Sequence, residues 1–144
     1  MDAPGHRGLT DREVAERLRR GGLRVTRPRL AVYRALAALG GHRSAEDVVA
    51  ELRRRRERVS RMSVYNALAT LRGVGLLMQA NAGPGGTLYE TRAAWHHHFV
   101  CRRCGRVLDV PCVRGRRPCL SLPAGIGRAE EAQIVFRGVC RDCG

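Results

Sequence analysis

The sequence predicts an α+β fold, in which an N-terminal winged helix-turn-helix is followed by a small zinc-clamped α/β domain. Three observations lead to this prediction. Four helix-capping signals come in succession and are followed by a glycine-rich hairpin. After the hairpin the chain changes to short strand-like runs. Two CxxC pairs lie in this second half, and together they can bind one zinc ion.

We divide the chain of 144 residues accordingly. Residues 1–9 are expected to form a disordered lead, residues 10–86 a winged-helix domain with its hinge, and residues 87–144 a second, metal-binding domain. This length suits one mid-sized domain or two small ones. A bound zinc ion would allow the smaller second domain to fold around a thin core.

Each of the four predicted helices begins after a side chain that can cap its N-terminus. The caps are Thr10, Thr26, Ser44 and Ser60. Glu13 completes a capping box with Thr10, and Pro28 lies in the first turn of the second helix, where a missing N–H costs nothing. Glycine pairs at 21–22 and 40–41 end the first two helices.

The fourth helix is the candidate for DNA contact. Val64, Leu68 and Leu71 recur on one face, which we expect to be buried. The outward set is then Arg61, Met62, Tyr65, Asn66, Ala69 and Arg72. Tyrosine and asparagine can contact a thymine methyl and an adenine edge, and arginine can bind phosphate or guanine. A merely solvated face is the alternative, but the helices before it and the hairpin after it favour DNA contact.

Short strands are predicted on both sides of the domain boundary. Residues 76–80 and 87–90 form the hairpin around a turn at 81–86. The second domain adds strands at 99–102, 106–110 and 133–139. Residues 111–127 between the last two are rich in Pro, Gly and Arg and are expected to form a loop.

The two CxxC pairs are Cys101 with Cys104 and Cys140 with Cys143. Each pair supplies two thiolates from one tight turn, so the spacing predicts a tetrahedral four-cysteine zinc site. Three consecutive histidines, 96–98, precede the first pair. Because the cysteine site is already complete, they indicate a second site with nitrogen and oxygen ligands. In an extended chain His96 and His98 leave one face and His97 the other.

The charge of the chain indicates a polyanionic partner. Its formal net charge is +14, and all 27 cationic residues are arginine. DNA or RNA is the expected partner, with a purely solubilising role as the alternative. No apolar run approaches the roughly 18 residues of a membrane span, so we expect a cytoplasmic protein with no membrane partner. Six cysteines in a reducing cytosol favour metal or redox chemistry over a disulfide framework.

Four stretches together resemble one protein family. They are residues 22–29, 63–68, 96–105 and 138–143. This ordered combination, over about residues 9–143, is similar to the repressors of the ferric uptake regulator (Fur) superfamily. The resemblance implies a homodimer with an N-terminal winged helix and a C-terminal dimerisation domain. It also implies binding to an AT-rich inverted repeat in double-stranded DNA, and adds Arg24 and Ser63 to the candidate DNA contacts.

The resemblance further implies two metal ions in each chain. One is a structural Zn2+ at the four cysteines. The other is a regulatory ion, with ligands carried over to His42, Glu90, His96, His98 and Asp109. Imidazole and carboxylate ligands suit Fe2+ or Mn2+ better than a soft ion. His42 belongs to the first domain, so such an ion would fix the angle between the domains.

Within the superfamily, three segments, residues 109–112, 118–120 and 131–132, resemble the actinobacterial FurA or CatR regulators associated with catalase-peroxidase genes. Asp109 resembles the peroxide-sensing branch, whereas Glu90 is more similar to the iron and zinc sensors. The resemblance therefore implies a repressor of oxidative-stress genes that senses peroxide through Fe2+. An iron-responsive uptake regulator or a zinc-sensing regulator of the same family stays an alternative.

Two cysteines, Cys112 and Cys119, are not required by the zinc site. They lie in an arginine-rich loop whose positive charge favours thiolates. A dithiol–disulfide pair and two inert thiols both remain open for them. His97 remains open as well, as a solvated residue or part of another site.

Two other classes of protein fit the sequence less well. A zinc deaminase needs His-x-Glu followed by Pro-Cys-x-x-Cys, and neither motif occurs, so we do not expect an enzyme. A zinc-ribbon nucleic-acid adaptor without a sensing role would have no use for His42 as a metal ligand.

Overall fold

The computed structural model describes residues 8–81, 86–91, 96–115, 118–130 and 132–144. The chain divides into two compact units, Met1–Ala93 and Ala94–Gly144. Helices dominate the first unit and short strands the second, which confirms the predicted α+β class. In the described residues, no helix is long and apolar enough to cross a membrane.

All four predicted helices are present in the first unit. They are α1 (Asp11–Arg20), α2 (Arg27–Leu39), α3 (Ala45–Arg54) and α4 (Arg61–Gly73). The predicted caps precede them, and the side chains of Thr10, Thr26, Ser44 and Ser60 each accept a backbone N–H from the first turn. Thr10 with Glu13 and Ser44 with Asp47 form complete capping boxes.

The core of the first unit draws on all four helices. Val64, Leu68 and Leu71 of α4 are fully buried, as their spacing predicts. They pack in a cluster that includes Val14, Leu18, Val32, Leu36, Val48 and Leu52. Because this face of α4 is fixed in the core, its opposite face is presented to solvent.

A three-stranded antiparallel sheet completes the first unit. Its strands are β1 (Arg43–Ser44), β2 (Met78–Asn81) and β3 (Thr87–Glu90), in the order β1-β3-β2. β2 starts two residues later than predicted because Leu76 and Leu77 are buried in the helical core instead. Most of the predicted turn, residues 82–85, lies outside the described residues. β1 was not predicted, since two residues carry no periodicity.

Two predicted boundaries differ from those of the structure. β3 pairs with β1 and β2, so residues 87–90 belong to the first unit and the division falls at residues 93 and 94. Of the predicted disordered lead, residues 1–7 lie outside the described residues. Leu9 is fixed, because its N–H donates to the Tyr33 hydroxyl over 3.1 Å.

The second unit contains β4 (His96–Cys101), β5 (Val107–Pro111) and β6 (Val135–Gly138). β4 is central, antiparallel to β5 and parallel to β6. It begins three residues before the predicted strand, so all three histidines lie on it. The described part of the predicted loop beyond Pro111 has no helix or strand.

Candidate metal centres and nucleic-acid interface

The four cysteines of the CxxC pairs converge at one end of the second sheet. Cys101 ends β4, and it pairs with Gly138, the last residue of the parallel strand β6. Because the two parallel strands end together, the two cysteine turns that follow them are neighbours. Each turn is closed by the same bond, from the N–H of Gly105 to Cys101 and from that of Gly144 to Cys140, both over 3.0 Å.

The sulfur geometry of this group fits zinc. All four Sγ atoms lie within 4.8 Å of one another, and those of Cys104 and Cys140 are 3.8 Å apart. Sulfurs at the corners of a tetrahedron with Zn–S bonds of about 2.3 Å are also about 3.8 Å apart. Two arginines join the turns, since Arg106 pairs with Asp142 and Arg103 donates to the Cys143 carbonyl, both over 2.6 Å.

The backbone also prepares one of these thiols for metal binding. Backbone N–H groups of Cys104 and Cys140 lower the pKa of Cys101 to about 6, because hydrogen bonds to the ionised sulfur favour it. The neighbouring Cys140 and Cys104 sulfurs raise the pKa of Cys143 to about 12. Crowded sulfurs that resist shared negative charge are suited to a dication that neutralises them.

The second unit also brings together two imidazoles and a carboxylate. His96 and His98 lie two residues apart on β4, and Asp109 on β5 is the register partner of His98. Asp109 Oδ1 is 3.3 Å from His96 Nε2 and 4.0 Å from His98 Nε2, and the two Nε2 atoms are 3.1 Å apart. Ligands at about 2.1 Å from one ion and at right angles are about 3 Å apart, so these donors fit a common ion.

The first unit contains a separate histidine–carboxylate pair. Arg43 of β1 pairs with Tyr89 of β3, so the same register places His42 opposite Glu90. His42 Nε2 is 3.2 Å from Glu90 Oε2, and both side chains are largely buried. Sheet pairing within this unit is thus the local reason why these two distant sequence positions meet.

His97 lies apart from the donors on either side of it. Burial, with smaller effects from His96 and His98, lowers the pKa of His97. Its Nε2 is 3.4 Å from the Sγ of Cys119, and Cys112 belongs to the same cluster. The sequence left His97 open, and nothing in its spacing signalled a partner in a loop 22 residues away.

The candidate DNA-contacting residues lie on the outer surface of the first unit. Arg61, Tyr65, Asn66 and Arg72 are exposed on α4, and Arg24 is exposed before α2. Ser63 is half-buried and its N–H and hydroxyl bond to the capping Ser60. The N-terminal turns of α4 therefore carry most of the candidates, whereas Arg72 lies at the other end, about 16 Å away along the helix.

Glu46 is a residue of this surface that sequence reasoning missed. It lies in the first turn of α3, and its carboxylate pairs with Arg61 and accepts from the Tyr65 hydroxyl over 3.1 Å. Hydrogen bonds from Arg61 and Tyr65 lower the pKa of Glu46, and the contact with Glu46 raises that of Tyr65. An exposed acid in the first turn of a helix gave no signal of this role.

A winged helical unit, followed in the chain by a unit with cysteine, histidine and carboxylate groups that fit metal ions, defines a metal-responsive transcription regulator. The chain belongs to the ferric uptake regulator family, whose model matches residues 20–113. Members of this family are dimeric DNA-binding transcription regulators, not enzymes.

Individual relatives are similar over nearly the whole chain. The transcriptional regulator FurA of Mycobacterium tuberculosis is 39% identical over 133 residues, covering 91% of this chain and 90% of FurA. The peroxide operon regulator of Bacillus subtilis is 26% identical over 134 residues and 92% of both chains. The structure of the Pseudomonas aeruginosa ferric uptake regulator with manganese is 27% identical, with a TM-score of 0.67, covering 88% of this chain and 96% of that one.

Proposed function

We propose that this protein represses oxidative-stress genes of the catalase-peroxidase type and senses peroxide through a bound Fe2+. The observation that carries the proposal is the donor set. His42 with Glu90 in the first unit and His96, His98 and Asp109 in the second offer only nitrogen and oxygen. Such ligands suit Fe2+ and Mn2+.

The five donors are proposed to bind one ion jointly. His42 and Glu90 are held by the sheet of the first unit, and the other three by the sheet of the second. Joint ligation would restrict the angle between the units, whereas the metal-free chain would sample many angles. The metal would enrich the arrangement of the units that binds it best. The affinity for DNA rises if the same arrangement also fits DNA.

On the DNA side, α4 is proposed to enter the major groove of an AT-rich inverted repeat. Tyr65 and Asn66 would read bases, while Arg24, Arg61 and Arg72 would bind phosphate or guanine. The N-terminal residues of a recognition helix are those that usually reach base edges. The net charge of +14 supports a large, salt-dependent contribution from phosphates.

The proposed operator has two half-sites because the proposed form is a homodimer. The described part of the second unit leaves seven large apolar side chains exposed, among them Leu108 of β5 and Phe136 of β6. Contiguous exposed apolar patches mark interfaces between subunits, and these side chains are the candidates for such a patch. The second unit is accordingly proposed as the dimerisation domain.

Peroxide sensing is proposed to act through the ligands themselves. These residues would hold an Fe2+ ion, which would supply the reactivity towards peroxide when bound. The imidazoles of His42 and His96 are the proposed targets, and loss of either ligand would release the link between the units. Asp109 and the similarity to a peroxide operon regulator support this branch of the family.

The test compares the Fe2+ and Mn2+ forms of the protein after treatment with peroxide. In the Fe2+ form we expect loss of operator binding together with one added oxygen on the peptide that contains His42 or His96. The Mn2+ form should keep both its mass and its DNA binding. Asp109→Glu is the matched variant, since it keeps a carboxylate while changing its reach, and we expect weaker peroxide sensitivity.

Two outcomes would contradict the proposal in different ways. Metal-dependent operator binding with no histidine oxidation would indicate an iron-responsive uptake regulator of the same family. Operator binding that is unchanged in His42→Ala and in metal-free protein would leave a DNA-binding adaptor without a sensing role. Counting zinc and iron per chain in anaerobically purified protein separates the structural ion from the regulatory one.

A further inference from the structure

A third cluster of chemically reactive side chains lies in the second unit, outside both metal groups. It consists of His97, Cys112 and Cys119, whose donor atoms lie within 4.8 Å of one another. On the strand β4, His97 alternates with His96 and His98 and so faces the other side of the sheet. Neither cysteine belongs to the four-cysteine group, so this cluster needs an explanation of its own.

The hydrogen bonds of the cluster decide where its protons lie. The backbone N–H of Ile134 donates to His97 Nδ1 over 3.1 Å, so Nδ1 is an acceptor and the proton of the neutral ring is on Nε2. Nε2 is 3.4 Å from Cys119 Sγ, and this N–H therefore donates to the sulfur. The Cys119 thiol in turn donates to the Ala132 carbonyl over 3.7 Å.

This pattern suits a protonated Cys119 thiol better than a metal site. A metal ion at Nε2 would need the lone pair of a nitrogen that already carries the proton, and the Ile134 N–H opposes transfer of that proton to Nδ1. His97 therefore holds the Cys119 sulfur in position as a hydrogen-bond donor, and the second cysteine of the cluster lies within reach of it.

The two cysteines differ in their access to solvent. Cys112 directly follows β5 and is half-buried, whereas Cys119 is only 7% exposed. The Gly115 N–H donates to the Cys112 carbonyl over 3.1 Å and closes a turn directly after β5. The Sγ atoms of the two cysteines are within 4.8 Å of each other. One side-chain rotation moves a sulfur by about 3 Å, which is enough to reach the S–S bond length of about 2.05 Å.

We propose that Cys112 and Cys119 form a disulfide when the protein meets a hydroperoxide. The more accessible Cys112 sulfur attacks the hydroperoxide, the O–O bond breaks, an alcohol or water leaves, and Cys112 becomes a sulfenic acid. The Cys119 sulfur then attacks the Cys112 sulfur, the S–O bond breaks, and water leaves with the thiol proton. The two thiols lose two electrons and two protons, and the hydroperoxide accepts them.

Disulfide formation has a consequence for β4, and this step rests on the proposed function. The new bond draws the Cys119 sulfur towards Cys112 and away from His97 Nε2. His97 is flanked by His96 and His98, two of the proposed ligands of the regulatory ion. Because the three histidines share one strand, loss of the Cys119 contact should loosen that strand and lower the affinity for the regulatory ion several-fold.

The first experiment tests the disulfide itself and uses zinc-loaded full-length protein without iron. After hydrogen peroxide treatment, the protein is alkylated, cleaved with trypsin without reduction and analysed by mass spectrometry. Trypsin should release peptide 107–114 with Cys112 and peptide 117–128 with Cys119, so the disulfide appears as these two peptides linked and lighter by two hydrogens. Cys112→Ser and Cys119→Ser should each remove the linked peptide.

Two results would overturn the disulfide. One is alkylation of both cysteines to the same extent before and after a peroxide dose that oxidises a free thiol standard. The other is an additional soft metal ion that the wild type retains and Cys119→Ser loses, which would make the cluster a metal site.

The second experiment tests the coupling to the regulatory ion. Mn2+ is titrated into reduced protein, oxidised protein and oxidised Cys112→Ser. We expect several-fold weaker binding only in oxidised wild type. Equal Mn2+ affinity in all three samples would refute the coupling but would not contradict the proposed disulfide. Absence of Mn2+ binding even to reduced protein would refute the proposed regulatory site instead, and the peptide map would still decide the disulfide.

Discussion

Replacing Cys140 with serine should unfold the second unit and leave the first unit folded. Cys140 is 4% exposed, and its Sγ is 3.8 Å from that of Cys104 across the cysteine group. Its N–H also bonds to the Cys101 sulfur over 3.3 Å. Serine is similar in size to cysteine but removes one of the four thiolates, so the variant mainly weakens zinc binding.

The expected size of this effect follows from how little else holds the second unit together. Among its described residues the buried apolar side chains are Val100, Cys101, Cys119 and Cys140, and two of these are proposed zinc ligands. Structural zinc sites contribute apparent binding energies of about 10–16 kcal/mol, which is also folding energy. Whole domains are stable by only about 5–15 kcal/mol, so losing the ion exceeds what this unit can tolerate.

The assay is zinc content, oligomeric state and amide exchange on the full chain. Cys140→Ser should be zinc-free and monomeric, with fast exchange in β4 to β6 and protected amides in α1 to α4. Cys112→Ser is the matched control, since it removes a cysteine outside the group, and it should keep zinc and the dimer. A zinc-free Cys140→Ser protein that is still dimeric, with β4 protected, would refute the structural role of zinc.

Three further predictions concern the first unit. Glu46→Gln should raise affinity for random DNA more than for the operator, because it frees Arg61 from an ion pair and removes negative charge near the phosphates; binding isotherms on both DNAs measure the ratio. Tyr65→Ala should cost about 1–3 kcal/mol on the operator and little on random DNA if Tyr65 reads a base, and equal losses on both would exclude base readout. Glu51, whose pKa is lowered to about 2 by hydrogen bonds from Arg54 and Arg55, should stabilise the folded state above its unfolded pKa of about 4.3. The free energy of unfolding of the wild type and of Glu51→Gln can be measured by denaturant-induced unfolding, followed through the helical signal. The difference between the two should shrink as the pH falls from about 4 towards 2.

Local signals predicted the helices well. A capping side chain, a glycine stop and a buried face act within one helical turn or two, so the sequence contains all the information. The cysteine pairs could be recognised equally well from the sequence, because two ligands on each tight turn are a local pattern. The strands were less accurate: β4 begins three residues before its predicted start, since three histidines give no alternation of apolar and polar residues.

Contacts between distant segments could not be predicted from local sequence patterns. β1 has two residues, yet it sets the register that joins His42 to Glu90. His97 contacts Cys119 although 22 residues separate them in the sequence. Glu46 meets Arg61 and Tyr65 because α3 and α4 pack together. In each case tertiary structure, rather than composition or spacing, decides the partner.

The strand β4 connects all three side-chain clusters of the second unit. One face carries His96 and His98, the other carries His97, and the strand ends at Cys101 in the cysteine group. The proposed zinc ion would fix that end of the strand, so we expect the histidines to be positioned only while zinc is bound. The cysteine group does not depend on the histidines in return, because its two turns are joined by their own backbone bonds and ion pairs. The proposed regulatory ion and the proposed thiol pair would therefore change state without unfolding the unit, which is what the proposed sensor requires of a site built on a structural one.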